Sequence, residues 1–162
     1  MTISEKIVST YKEKGMTIST AESCTGGLLS KMITDVSGAS EIFELGVCSY
    51  SNTIKNKVLG VSEEILNTYT ENSEECAREM AIGVMRLSGS DMAVSTTGIA
   101  GPTGGTEKNP VGTIYIAMAA DGNVISEKKN FNEDGCFDRD VIRTRCAEYV
   151  LNMALEYALR CE

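Results

Sequence analysis

Two loops rich in small residues carry the side chains best suited to chemistry. The first is Ala21-Glu22-Ser23-Cys24-Thr25-Gly26-Gly27, where Ser23 is a candidate nucleophile. A serine hydroxyl is weak without a base. The chain contains no His, which removes Ser-His-Asp and Cys-His arrangements, His zinc sites and imidazole general bases. A lysine whose pKa is lowered by burial is the obvious substitute. Lys55 stands in Tyr50-Ser51-Asn52-Thr53-Ile54-Lys55, and Tyr50 could share its proton network. A helix beginning after Gly26-Gly27 would offer unpaired N–H groups to an oxyanion or a phosphate. It would also lower the pKa of Cys24, the one thiol to watch. The second loop, Thr97 to Thr106, has four Gly and one Pro in ten residues and could lay backbone amides around an anion. Arg139 and Arg143 lie four apart, on one helix face, as a phosphate or carboxylate site would need.

Each feature also has a plainer explanation. Ser23 or Thr25 could simply cap a helix. Lys55 could be a solvated surface lysine and Tyr50 a core aromatic. The two arginines could pair with Asp138, Asp140 and Glu148. Spacing alone favours the plainer account for the first loop, for Lys55 and for the arginines, and leaves the second loop open.

The elements that must position these residues follow from periodicity. Ile3, Ile7, Val8 and Tyr11 share a helical face with Gly15 as a stop, predicting a helix from about Ser4 to Lys14. Met16 to Thr20 reads as a strand, Leu28 to about Val36 as a helix, and Ile42 to Ser51 as a strand. A short helix is expected over Asn52 to Leu59. Ser62-Glu63-Glu64 and Ser73-Glu74-Glu75 each open another helix by N-capping, with acids in the first turn. Asp91 to Thr97 is a buried strand. Val111 to Ala119 and Val124 to Phe131 form a hairpin about Asp121-Gly122. The last helix runs from about Asp138 to Leu159. Helices interleave with strands throughout, which predicts a three-layer α/β/α sandwich with a mixed, mostly parallel sheet. We expect one domain over residues 1–162.

Composition narrows the function classes. At 42% hydrophobic and 23% charged residues with only 2 Pro, the chain is globular rather than disordered or fibrous. The net charge of −8 argues against general binding to nucleic acid or an anionic membrane. A small anionic ligand needs only local N–H groups and one or two Arg. No apolar run approaches the roughly 18 residues that span a bilayer. The six Cys form no C-x-x-C pair, and with no recognisable signal peptide they read as free thiols of a cytoplasmic protein.

Five motifs in unbroken order carry a resemblance. They are Ala21 to Gly27; Tyr50-Ser51-Asn52 with Lys55; Thr97-Gly98-Ile99-Ala100-Gly101-Pro102 with Gly104-Gly105; Pro110-Val111-Gly112-Thr113; and Asp138-Arg139 with Arg143. Together, over roughly residues 3–158, the chain resembles the C-terminal domain of the competence/damage-inducible protein CinA. The molybdopterin-binding-like N-terminal domain of full-length CinA lies outside the likeness. Stand-alone versions of the domain are nicotinamide-nucleotide amidohydrolases. The resemblance implies hydrolysis of the carboxamide of nicotinamide mononucleotide to nicotinic acid mononucleotide and ammonia, without metal or cofactor. By motif position it makes Ser23 the nucleophile, Lys55 its base and Tyr50 an aid to that proton transfer. Thr25, Gly26, Gly27, Thr97 and Gly98 would position the amide or stabilise the oxyanion. Arg139, with Arg143, would meet the phosphate. By the same analogy the protein is a homodimer that binds a small pyridine mononucleotide.

Two departures stand out. Where the family has a short Phe-x-Gly-Asp-Arg stretch, Phe131 is followed here by Asn132-Glu133-Asp134-Gly135-Cys136-Phe137 before Asp138-Arg139, which bears on the placement of Arg139. Thr53 stands where an acidic residue usually follows Tyr-Ser-Asn. A non-catalytic binding or regulatory module would keep the Gly-rich loops and Arg139 but tolerate loss of Ser23 or Lys55. An amidase for a different small amide would keep Ser23 and Lys55 but not the phosphate contacts.

Overall fold

A computed structural model describes residues 1–161. Five strands, β1 (Ile18–Glu22), β2 (Phe43–Cys48), β3 (Met92–Gly98), β4 (Thr113–Ala120) and β5 (Asn123–Asn130), form one sheet in the order β2-β1-β3-β4-β5. β1 pairs in parallel with both β2 and β3, and β4 is antiparallel to β3. β5 is antiparallel to β4, so only β4 runs against the other four. The sheet is mixed, as the interleaved pattern predicted. The interior strand β1 is buried at every position, as a strand covered on both faces must be. β2 alternates half-buried and exposed residues at one edge. β5 forms the other edge and carries Lys128 and Lys129, charges that discourage further strand pairing.

The helices are α1 (Ile3–Lys14), α2 (Leu28–Thr34), α3 (Asn52–Ile54), α4 (Glu63–Thr68), α5 (Glu74–Ser88) and α6 (Arg139–Arg160). α1, α2 and α6 cover one face, around Ile7, Tyr11, Leu29, Ile33, Val150 and Ala154. α5 covers the other, with Ala77, Met80 and Val84 against Ala21, Ala93 and Ala117. Local chemistry sets the helix ends. Thr2 and Glu5 form a capping box on α1, and Gly15 closes it in the left-handed conformation. Ser62, Ser73 and Asp138 cap α4, α5 and α6 through their side chains. No helix of the described residues is long and apolar enough to cross a membrane.

Two segments differ from expectation. β1 starts at Ile18 rather than Met16, because the Met16 N–H is held by the Tyr11 carbonyl and that of Thr17 by Asp91. The strand therefore continues through Glu22 and ends at the base of the first loop. The helix expected over Asn52 to Leu59 is one α-turn, α3, that widens into a π-helical turn, Lys55–Leu59. Such turns re-aim side chains and recur at functional sites. α5 lies hard against this turn. A Cβ at Gly83 would sit 2.0 Å from the Leu59 carbonyl oxygen, so only glycine allows the approach.

Candidate active site

The three parallel strands end on the same side of the sheet, and their exits converge there, where ligands bind in open α/β sheets. β1 delivers Ser23, β2 leads through Ser49 and Tyr50 to α3, and β3 ends at Gly98. Lys55 comes back from the π-turn with its Nζ 3.0 Å from Ser23 Oγ and donating to the Ser49 carbonyl at 2.8 Å. Lys55 is only 1% exposed and Ser23 9%. The plain reading of Lys55 as a surface lysine therefore fails. Burial depresses its pKa below the ordinary lysine value, against the opposing influence of Cys76, Glu71 and Cys24. Nζ donates to both Ser23 Oγ and the Ser49 carbonyl, and the 3.0 Å contact with the serine is within proton-transfer reach.

Glu22 holds the first loop in place, although sequence reasoning passed over it as part of a small-residue turn. Its side chain is fully buried. Oε2 accepts from Thr25 Oγ1 at 2.7 Å and from the N–H groups of Gly27 and Leu29 at 3.0 Å each. Oε1 accepts from the Ser30 N–H and hydroxyl at 2.8 Å. Gly27, the N-cap of α2, has no side chain to cap with. The carboxylate at the end of β1 does the capping instead, where the helix dipole favours a negative charge. One buried acid thus ties β1, the loop after Ser23 and α2 together.

This arrangement changes the parts expected of the loop residues. The Gly27 N–H is committed to Glu22 and the Gly26 N–H to the Ser23 carbonyl at 3.0 Å, so neither is free for an oxyanion. Thr25 Oγ1 is buried between Glu22 and Thr96. Thr97 donates to the Glu71 carbonyl at 2.8 Å, while Gly98 lines the cavity beside Ser23. The Cys24 N–H, next in chain to Ser23, donates to no carbonyl among the described residues. The Cys24 thiol is not activated. Burial pushes it up to about 12, overriding any helix-terminus effect.

Ser23 and Lys55 open into a cavity of about 370 Å³, within the range of small-molecule sites (roughly 300–1,000 Å³). Arg139 is at its exposed end, donating to the Gly101 carbonyl at 2.7 Å and to the Tyr50 hydroxyl at 2.8 Å. Tyr50 is 64% exposed and bonds Arg139 rather than Lys55, so it belongs to the arginine's end of the cavity. Arg143 does not line the cavity. It donates to the Thr25 carbonyl at 2.6 Å and to Asp140, bracing the first loop from α6. The added residues before Asp138 do not draw Arg139 away. Arg145 forks onto Asp134 at 2.9 and 2.7 Å and anchors them, holding that carboxyl well below the usual range. A larger groove of about 890 Å³ between α1, α2 and α6 contains neither Ser23 nor Lys55. Among the described residues no three His, Cys, Asp or Glu side chains gather as metal ligands.

The sequence and the fold recur in known proteins. A nicotinamide-nucleotide amidohydrolase, PncC, of Enterobacter agglomerans is 44% identical over 154 residues, covering 94% of this chain and 92% of that protein. A protein of a Thermoanaerobacter species named for competence-damage induction is 46% identical over 155 residues. This chain spans only 37% of that longer relative. Among solved structures, a competence/damage-inducible protein from Agrobacterium tumefaciens superposes with a TM-score of 0.89 at 36% identity, covering 95% of this chain and 93% of that one. A competence damage-inducible protein from Klebsiella pneumoniae gives 0.92 at 28% identity, with 99% and 97% covered. The sequence profile of the CinA C-terminal domain matches residues 1–158, and the chain belongs to that family.

Proposed function

We propose that the protein hydrolyses the carboxamide of nicotinamide mononucleotide to nicotinic acid mononucleotide and ammonia. The observation that carries this is the buried 3.0 Å pair of Ser23 Oγ and Lys55 Nζ at the floor of a small-molecule cavity. The 44% identity to a nicotinamide-nucleotide amidohydrolase supports the choice of substrate. Ser23 Oγ attacks the amide carbon as neutral Lys55 takes its proton. The ammonium form of Lys55 then protonates the departing nitrogen, ammonia leaves, and an ester to Ser23 remains. Water attacks that ester, Lys55 takes the water proton and returns it to Ser23, and the acid is released. The oxyanion is met by the N–H of Cys24, the residue after the nucleophile. Arg139 binds the phosphate, with Tyr50 orienting its guanidinium. Glu22 and Arg143 act indirectly, by holding the loop that presents Ser23. We further take the protein to be cytoplasmic, in keeping with six free thiols, and by analogy with the family a homodimer.

Ammonia release from nicotinamide mononucleotide tests this directly. The wild type should turn over, and Ser23→Ala and Lys55→Ala, checked for folding by circular dichroism, should each lose about three orders of magnitude or more. A wild type that binds the mononucleotide without hydrolysing it would point to a regulatory module. One that does not bind it but releases ammonia from other amides would be a different amidase.

A further inference from the structure

Among the described residues Glu71 is the one carboxylate that lines the cavity, and neither the Ser23–Lys55 pair nor Arg139 accounts for it. The backbone delivers it deliberately. Thr70, a β-branched residue, sits at φ 71°, a conformation such residues rarely adopt. The Thr70 hydroxyl accepts the Asn72 N–H at 3.3 Å and its carbonyl accepts the Ser73 hydroxyl at 2.8 Å. From β3, the buried hydroxyl of Thr97 pins the Glu71 carbonyl. The side chain is then held only by a long 3.4 Å contact from Asn52 Nδ2, and among the described residues it forms no salt bridge. Its charge is felt at Lys55.

The cavity is therefore electrically polar. Both charges line it: the Arg139 guanidinium, bonded to Tyr50, and the Glu71 carboxylate, in contact with Asn52 and acting on Lys55 through its charge. A mononucleotide of nicotinamide has the same polarity, because its phosphate is an anion and its N-ribosylated ring is a permanent cation next to the reacting amide. Resting on the function proposed above, we propose that Glu71 is a specificity-determining residue. Its carboxylate faces the cationic ring of the substrate and disfavours the extra carboxylate of the product. An opposite charge near the ring favours the substrate, and a like charge near the new carboxylate hastens release.

The test compares two ligands that differ in ring charge but share the carboxamide and phosphate: nicotinamide mononucleotide and its reduced, dihydropyridine form. Binding is measured by calorimetry in a Ser23→Ala background, so that neither is turned over. The parent should bind the cationic form about three- to ten-fold tighter than the neutral form. Adding Glu71→Gln should erase that preference and tighten nicotinic acid mononucleotide, while Glu71→Asp should keep the preference. The Glu71 backbone contact with Thr97 does not depend on the side chain, so these variants should fold. Equal weakening of both ligands by Glu71→Gln, or a parent that binds both equally, overturns the inference even if wild-type protein hydrolyses the mononucleotide. A wild type that neither binds nor hydrolyses it overturns the proposed function, and the role of Glu71 falls with it.

Discussion

The two ends of the cavity are built on different principles. At the Ser23 end Ser23 and Lys55 are buried and fixed by a network of buried hydrogen bonds. Ser23 leaves a central strand, Lys55 is fixed to the Ser49 carbonyl, and the Glu22 carboxylate is saturated with five donors. At the Arg139 end the groups are exposed, and the guanidinium rests on one loop carbonyl, that of Gly101, and one exposed hydroxyl, that of Tyr50. Arg139 begins α6 after a surface loop and leans on Tyr50, itself 64% exposed. Chemistry that depends on ångström placement and a desolvated amine needs the first kind of construction. Gripping a mobile phosphate needs only a guanidinium within reach. The contrast explains why added residues before Asp138 are tolerated at one end, while the other end is braced from three directions by Glu22, Arg143 and the π-turn.

Breaking the brace should have the largest effect on stability. Glu22→Ala strips the acceptor from three backbone N–H groups and two hydroxyls in a buried setting. We expect a loss of about 3–5 kcal/mol in urea denaturation, with activity falling in step. Glu22→Gln should recover only part of it, because its amide nitrogen would confront donors.

The buried amine predicts a pH signature confined to the Ser23 end. The rate needs neutral Lys55, so kcat/KM should climb about ten-fold per pH unit and level off below the ordinary lysine value. The unfolded chain holds that proton at pH values where the folded protein has lost it. Lys55's contribution to stability is thus fully present above the unfolded lysine value and is lost as pH falls through the folded one. A stability curve that is flat over that interval would mean the amine is not depressed.

At the exposed end the effects should be smaller and fall on binding. Arg139→Ala should raise KM for the mononucleotide about ten-fold or more while changing kcat much less. Tyr50→Phe should raise KM only a few-fold, as loss of one exposed hydrogen bond would. A large fall in kcat for Tyr50→Phe would instead assign Tyr50 to proton transfer with Lys55, and would redraw the boundary between the two ends.

Much of the fold was legible from local signals. Helix caps at Ser62 and Ser73, the Asp121-Gly122 hairpin and the apolar periodicities name nearly every element, because capping and patterning act over a few residues. Ser23, Lys55 and Arg139 were legible through the order of motifs. Spacing alone could not have chosen Lys55, since a buried and a solvated lysine look the same in sequence. Glu22 and Glu71 were missed for the same reason. One signal was available for Glu22: a two-residue extension of β1 would have put an acid at the buried end of a central strand, where it must find donors.

The amino-acid sequence by itself determined the α/β order, the absence of imidazole chemistry and the small-residue loops at the strand ends. Only the tertiary structure decided which charges are desolvated and what they meet. It spends the α2 N–H groups on Glu22 rather than on a ligand, docks Arg143 on the Thr25 carbonyl, moves Tyr50 to Arg139 and brings Glu71 into the cavity that Lys55 lines. The physical reason is that patterning is set by neighbours in the chain. Burial, hydrogen-bond competition and electrostatic convergence are set by residues brought together across it, 32 positions apart for Lys55 and Ser23 and 118 for Arg143 and Thr25.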